Sequence, residues 1–299
     1  MCGIVGLFAK TERLQPELGA HLAQMLAIMS DRGPDSAGFA VYSAPVPGAI
    51  KLTLRAPEGY DFEAMASRLG GALGAVPNIT VRATHAVLAI PAGTLASAKS
   101  WLAEHAPEAS IVGIGETMEI YKEVGLPAKV AERFGLAAMA GTHGIGHTRM
   151  ATESAVTTKG AHPFSTGPDQ CLVHNGSLSN HNGLRRTLMR EGLSFETDND
   201  SEVAAAYLTA QIKGGKSLGE ALEASLEDLD GFFTFVVGTG TGFGVLRDPI
   251  ACKPAVMAET EDYVAFGSEY RALAVLPGIE SANVWEPEPA KVYFWEKAA

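Results

Sequence analysis

The sequence predicts an α+β protein whose later half is mainly antiparallel strand with flanking helices. A compact α/β module stands apart near the front. Three observations carry this expectation. From residue 231 onward, GFFTFVVGTGTGFGVLRD reads as a β-hairpin, and PAVMAE, YVAFGSE and VYFWE follow as short apolar strands. Before them, HNGLRRTLMREG (181–192), TDNDSEVAAAYLTAQIK and LGEALEASLEDL read as three successive helices. From about 52 to 109, strand-like and helix-like segments alternate. The chain has 299 residues, 46% hydrophobic and 19% charged, enough for a sizeable core and far from a disordered composition.

Taken in order, residues 4–8 form a short apolar run suited to a buried strand. In PELGAHLAQMLAIMS (16–30), Leu18, Leu22, Met25, Leu26 and Met29 share one helical face. Gly33 and Pro34 break that helix, and GFAVYS (38–43) reads as a strand. The module then runs KLTLRA (strand), DFEAMASRLGGAL (helix), NITVRATHAVLAI (strand) and TLASAKSWLAEHA (helix). SIVGIGETMEIYKEV (110–124) reads as a strand passing into a bend, and PAKVAERFG as a short helix. From 141 the texture is loop-rich. CLVHNGSLSN suggests a strand ending in a tight Asn-Gly turn.

Composition excludes several function classes. A net charge of −11 argues against nucleic-acid and anionic-membrane partners. Cys2, Cys171 and Cys252 lie far apart with no C-x-x-C pair, which argues against a disulfide framework, an iron–sulfur cluster or a structural zinc site. The front of the chain lacks the basic flank and long apolar core of a signal peptide, and no apolar run is long enough to span a bilayer. A cytoplasmic protein is expected. The G-x-G spacing in GTGTGFG (238–244) sits between two strands, where a phosphate loop would instead open a helix, so it reads as a hairpin turn. No H-x-x-x-H pair supports a metal site.

Four polar clusters interrupt otherwise apolar stretches: DRGPDSAG (31–38), GHTRMAT (146–152), VHNGS (173–177) and the DNDSE that begins at Asp198. Singly, each has a plain structural reading. Asn175-Gly176 is a turn, Asp200-Ser201-Glu202 a helix cap, and Arg149 a surface or structural cation. Together with MCGIVGLF, AHPF, VHNGSLSNHNGLR, RDPIACKPAV and FGSEYRAL, their order and content resemble the class II glutamine amidotransferases, members of the N-terminal-nucleophile hydrolases. The resemblance covers most of the chain except about 52–109, which looks like an insertion. THGIGHTRMATES and that insertion look most like the separate amidotransferase subunits of the glutamate synthase and N-methylglutamate synthase family.

The resemblance implies a four-layer αββα sandwich of two antiparallel sheets, with the α/β module inserted, as one amidotransferase domain over 1–299. It implies removal of Met1 and a catalytic Cys2. The chemistry is self-consistent. An ordinary thiol with a pKa of about 8.5 is only a few per cent thiolate at neutral pH. A chain-terminal amine, with a pKa of about 7.7–8.0, is partly neutral and can take the thiol proton. With Met1 attached, the Cys2 nitrogen is an amide and cannot act as base. The thiolate would attack the glutamine carboxamide, release ammonia and leave a thioester for water. By the same resemblance, the Asn175 amide and the Gly176 backbone N–H stabilise the oxyanion. Arg149 holds the substrate α-carboxylate, Asp200 the α-ammonium, and Thr152 a further contact. Arg32 is expected to brace the Cys2 end of the site or to be purely structural.

Two positions depart from the pattern. Met150 stands where many relatives have Trp or Phe, and Glu153 where some have His, within a stretch (153–160) expected to close over glutamine. The resemblance places no cofactor in this chain. It places FMN and iron–sulfur clusters on partner synthase subunits that receive ammonia, with L-glutamine as this chain's own substrate. The insertion could dock such a partner or merely elaborate the fold. Two other readings stand beside this one: a hydrolase of the same fold acting on a different amide, and a non-catalytic regulatory subunit. Arg149 with Asp200 argues for an α-amino acid substrate, and the complete polar set argues for catalysis.

Overall fold

A computed structural model describes residues 2–151 and 155–297. The expected calls on Met1, Thr152 and Glu153 therefore lie outside the described residues. The strands are β1 (Gly3–Ala9), β2 (Ser36–Tyr42), β3 (Ala49–Arg55), β4 (Asn78–Arg82), β5 (His85–Pro91), β6 (Ser110–Gly115), β7 (Met118–Val124), β8 (His143–Arg149), β9 (Phe164–Gly167), β10 (Gln170–Leu178), β11 (Gly231–Gly238), β12 (Gly242–Arg247), β13 (Val256–Glu259), β14 (Tyr263–Gly267), β15 (Asn283–Trp285) and β16 (Val292–Glu296). The helices are α1 (Leu18–Ile28), α2 (Phe62–Leu73), α3 (Leu95–His105), α4 (Pro127–Phe134), α5 (His181–Arg190), α6 (Asp200–Lys213), α7 (Leu218–Asp228) and α8 (Tyr270–Leu273).

Two antiparallel sheets make the body. One is ordered β15-β13-β14-β1-β8-β2-β7, the other β16-β12-β11-β10-β9. The alternation within β1 shows how they stack. Val5, Leu7 and Ala9 join the core beneath α1, α4 and α8. Ile4 and Phe8 point the other way and meet Val173, Val236, Phe243 and Val245 of the second sheet. The outer face of that second sheet packs on α5, α6 and α7 through Leu172, Phe233, Phe235, Leu188, Val203 and Leu222. The result is the expected four-layer αββα sandwich with three apolar seams.

The module is a third sheet, β4-β5-β3-β6, inserted in the chain between strands β2 and β7, which pair directly with each other. It spans somewhat more than the expected 52–109. The alternation of KLTLRA explains its orientation: Leu52 and Leu54 face α2 and α3, while Lys51 and Thr53 face the body. Lys51 Nζ pairs with Glu119 Oε1 at 3.0 Å, and Thr53 Oγ1 accepts the Ile120 N–H at 3.4 Å. Asp169 pins the β6–β7 turn by accepting the N–H groups of Glu116, Thr117 and Met118 at 2.7–2.9 Å.

Four expectations are corrected. NITVRATHAVLAI is a hairpin, β4–β5, turning at Ala83 with φ 51°. SIVGIGETMEIYKEV is two strands belonging to different sheets. The loop-rich texture after 141 conceals β8, which is buried along its whole length. Its glycines read as loop because they carry no side chain, yet they let α1 approach: a Cβ on Gly144 would lie 2.8 Å from Leu22 Cδ2, and one on Gly146 3.0 Å from Leu26. Finally, Asn175 and Gly176 form no turn. They lie inside β10, paired with Thr234 and Phe233 of β11. Among the described residues, no helix is long and apolar enough to cross a membrane, and no cluster of three metal-ligating side chains is placed to hold an ion.

Candidate active site

Cys2 stands half-buried immediately before β1. The strand is central in its sheet, so its start is held from both sides. Ile4 N–H donates to Ser268 Oγ at 2.9 Å, and Ser268 N–H donates to Ile4 O at 2.9 Å. Two further donors converge on the carbonyl oxygen of Cys2: Arg32 Nε at 2.9 Å and Asn175 Nδ2 at 3.2 Å. Arg32 ends a 3₁₀ turn (Met29–Arg32) that follows α1 and is buried. Its Nη1 lies 2.6 Å from Glu269 Oε1. The Arg32 hydrogen bond holds the Glu269 carboxyl below its ordinary range, and Arg271 adds to the effect. Glu269 thus neutralises the cation that grips Cys2. It belongs to the quoted FGSEYRAL but was not singled out by sequence, since only folding brings it to Arg32.

Asn175 is buried, and of its two amide N–H bonds one is engaged by Cys2. Gly176 follows with φ 155°, and a Cβ there would sit 2.0 Å from Phe232 O. No other residue fits that backbone without displacing β11. The Asn-Gly pair is therefore strand rather than the turn expected from its sequence, with Gly176 at a point of close approach to β11.

Arg149 closes β8. Gly3 pairs with Thr148 across β1 and β8, so Cys2 and Arg149 emerge at the same sheet edge. The RGPDS stretch holds that end of β8: Asp35 N–H donates to Arg149 O at 3.1 Å, and Asp35 Oδ2 accepts the Ala151 N–H at 2.8 Å. Arg149 Nη1 reaches Ala155 O at 3.4 Å. Met150 is exposed beside it.

Asp200 opens α6, where Asn199 caps the helix by accepting the Ser201 N–H at 2.9 Å. The plain cap reading thus belongs to Asn199. Asp200 Oδ2 accepts the Leu178 N–H at 2.9 Å, which ties α6 to the end of β10. Its Oδ1 lies 3.8 Å from His174 Nδ1. His174 also meets Ser201 Oγ at 2.9 Å, and its carbonyl oxygen lies 3.0 Å from His147 Nε2, bridging the two sheets behind the site. Burial holds His174 below the usual histidine range against the pull of Asp200, and it holds His147 down to about 3. Both rings are therefore neutral near pH 7. Both histidines lie in the polar clusters singled out from the sequence, which gave them no role of their own; in the fold they join β8, β10 and α6.

The structure thus joins Cys2, Arg32 and Asn175 by hydrogen bonds, with Gly176 next to Asn175 in β10, Arg149 at the same end of the neighbouring strand and Asp200 tied to the end of β10. A sandwich of this kind, with a cysteine at the mouth of a central strand, has the N-terminal-nucleophile hydrolase fold. Comparison with known proteins carries this further. Residues 147–275 match the glutamine amidotransferase domain. The glutamine amidotransferase-like protein GlxB of Rhizobium meliloti (strain 1021) is 64% identical over 298 residues, covering 99% of this chain and 98% of that protein. A putative glutamine amidotransferase of Methanothermobacter thermautotrophicus is 33% identical, covering 98% of this chain and 99% of that protein. The solved structure of glutamine phosphoribosylpyrophosphate amidotransferase from B. subtilis superposes with a TM-score of 0.63 at 20% identity. It shares the fold, and this chain spans 99% of its own length but only 47% of that larger one. The chain belongs to the class II glutamine amidotransferase family.

Proposed function

We propose that this amidotransferase hydrolyses L-glutamine through Cys2 and passes the ammonia to a partner synthase subunit. The observation that carries the first half is the convergence of Arg32 Nε and Asn175 Nδ2 on the carbonyl oxygen of Cys2. That carbonyl is fixed, so the Cys2 side chain and nitrogen emerge in a defined direction at the β1 edge. The Cys2 thiolate attacks the glutamine carboxamide after its proton moves to the freed Cys2 amine. The second N–H of Asn175 and the backbone N–H of Gly176 then take the oxyanion. The protonated Cys2 amine gives its proton to the leaving nitrogen, ammonia departs, and water, deprotonated by the same amine, releases glutamate from the thioester and restores the thiol. Arg149 binds the α-carboxylate, and Asp200 accepts the α-ammonium with the carboxylate oxygen facing away from Leu178. Thr152 supplies a further substrate contact. Arg32, with its charge balanced by Glu269, positions Cys2 rather than touching substrate.

The partner half rests on the resemblance of THGIGHTRMATES and the module to separate amidotransferase subunits. We assign the acceptor chemistry to a glutamate synthase-like or N-methylglutamate synthase complex, with FMN and iron–sulfur clusters on the partner.

The test uses 6-diazo-5-oxo-norleucine, a glutamine analogue that alkylates an activated cysteine. Wild type is expected to gain one adduct, on Cys2, and to hydrolyse glutamine in the presence of its partner. Cys2→Ala is expected to lose both, with turnover down by at least about 10³-fold. Hydrolysis by Cys2→Ala at the wild-type rate would contradict the assignment. The partner is tested by affinity purification of the full chain from its host, where co-purifying flavin absorbance is the expected result.

A further inference from the structure

A cavity of about 1090 Å³ lies between the module and the body, walled by α3 and β6 on one side and by β7, β9 and α6 on the other. None of Cys2, Arg149, Asn175, Gly176 or Asp200 lines it. Its charges are unbalanced. Arg55, Lys99, Lys122, Lys159 and Lys213 face it, against Glu191, Glu196 and Glu202. Among the described residues, Lys159 alone of these cations has a carboxylate within 4 Å, Glu196 at 3.8 Å. The buried Glu202 is held by neutral donors, the N–H groups of Glu196 and Thr197 at 2.8 Å and the Thr197 hydroxyl at 2.6 Å, and with Glu196 it partly offsets the cost of burying the Lys122 charge.

Two of the cations lie inward, Lys122 buried and Arg55 half-buried. Lys122 is buried, with Nζ held by the carbonyl oxygens of Lys159, Ala161 and Pro163 at 2.9–3.3 Å and lying 4.7 Å from the centre of the Phe164 ring. These groups satisfy its N–H bonds but bring no full negative charge. Arg55, on the body-facing side of β3, has a buried Nε without a hydrogen-bond partner, and its guanidinium makes no ion pair among the described residues. Burying such a cation is costly unless an anion meets it. The module side also carries apolar side chains, Leu95, Leu102 and Ile111, beside Lys99. A roomy concave site with apolar side chains and a few convergent charges is the form of a small-molecule pocket.

We propose that this cavity is a binding site for a small organic oxyanion, a carboxylate or phosphate ester with an apolar body. The oxyanion takes the Arg55 guanidinium and the field of Lys122, and the apolar body lies against Leu95, Leu102 and Ile111. The ligand bridges module and body without entering the glutaminase site, so it stands independently of the function proposed above.

Isothermal titration calorimetry on the full chain tests this with 1-naphthoate and 1-naphthyl phosphate, and with 1-naphthol as the uncharged counterpart. At least one anion is expected to bind one to one and to bind more tightly than 1-naphthol; which one wins separates the carboxylate from the phosphate source. Arg55→Gln, at a half-buried and unpaired position, is expected to weaken the anion about 10-fold or more while leaving 1-naphthol unchanged. Arg13→Gln, far from the cavity, is expected to change nothing. The proposal is overturned if neither anion binds at low millimolar concentration. It is equally overturned if the anion binds Arg55→Gln as tightly as wild type.

Discussion

The body and the module are built on opposite plans. The module's own core is built around Leu52, Leu54, Leu69, Leu88 and Leu102. Its buried polar side chains, Lys51, Thr53, Thr84 and His85, are turned toward the body: Lys51 to Glu119, Thr53 to Ile120, Thr84 to Glu123, and His85 against Phe134. The body instead buries polar groups in its interior, among them Arg32, His147, Arg149, His174 and Asn175. Buried polar groups cost stability unless every donor and acceptor is met. The module confines that cost to its seam, whereas the body carries it through its interior, at the Cys2 end and also at Lys122, His143, Gln170 and Arg247. The difference teaches that the module is joined to the body through polar contacts at its seam, while the body's buried polar groups extend to the Cys2 end where the chemistry is proposed.

The largest way to separate the two plans is Asn175→Ala. Removing the oxyanion donor proposed for Asn175 is expected to lower glutamine turnover about 10²–10³-fold. Chemical denaturation should show a much smaller change, because Arg32 still holds the Cys2 carbonyl. The reverse result is expected in the module. Leu88→Ala, at a fully buried site, should cost about 2–5 kcal/mol in denaturant unfolding and leave turnover per folded molecule unchanged. Loss of turnover in that variant under strongly native conditions would show the two regions to be coupled.

A smaller effect comes from pH. Burial pushes Lys122 from its ordinary 10.5 down to about 8. Between those values the unfolded chain holds a proton that the folded chain lacks, so stability rises with pH across that window. Below about pH 8 both states are protonated and the contribution is flat. Wild type should therefore become more stable relative to Lys122→Met as pH climbs from about 8 toward 10.5, measured by denaturation at each pH. A gap independent of pH would mean that Lys122 keeps its proton in the fold.

Sequence patterns reported what is local. The helical stripe of α1, the cap of α6 and the β11–β12 hairpin follow from spacing and capping within a few residues. β8 was hidden because its glycines answer to α1, which is distant in sequence. The Asn175-Gly176 turn was a local inference overruled by pairing with β11, where only a glycine clears Phe232. β15 has three residues and no periodicity to read. The alternation of KLTLRA indicated a strand, but its polar face meets the body instead of water. At the site, Cys2, Arg149, Asn175 and Asp200 were legible as motifs. Glu269 and His174 were not, because their partners are assembled by tertiary contact: Arg32 and Glu269 are 237 residues apart in the chain.

The central claim is that Cys2 acts as nucleophile with its own amine as base, and that claim requires the amine to be free. Intact-mass spectrometry paired with glutamine turnover on the same preparations tests it. Turnover in the presence of partner should scale with the fraction of chains that begin at Cys2, and chains retaining Met1 should be inactive. A preparation in which every chain retains Met1 and glutamine is still hydrolysed at the full rate would contradict the account.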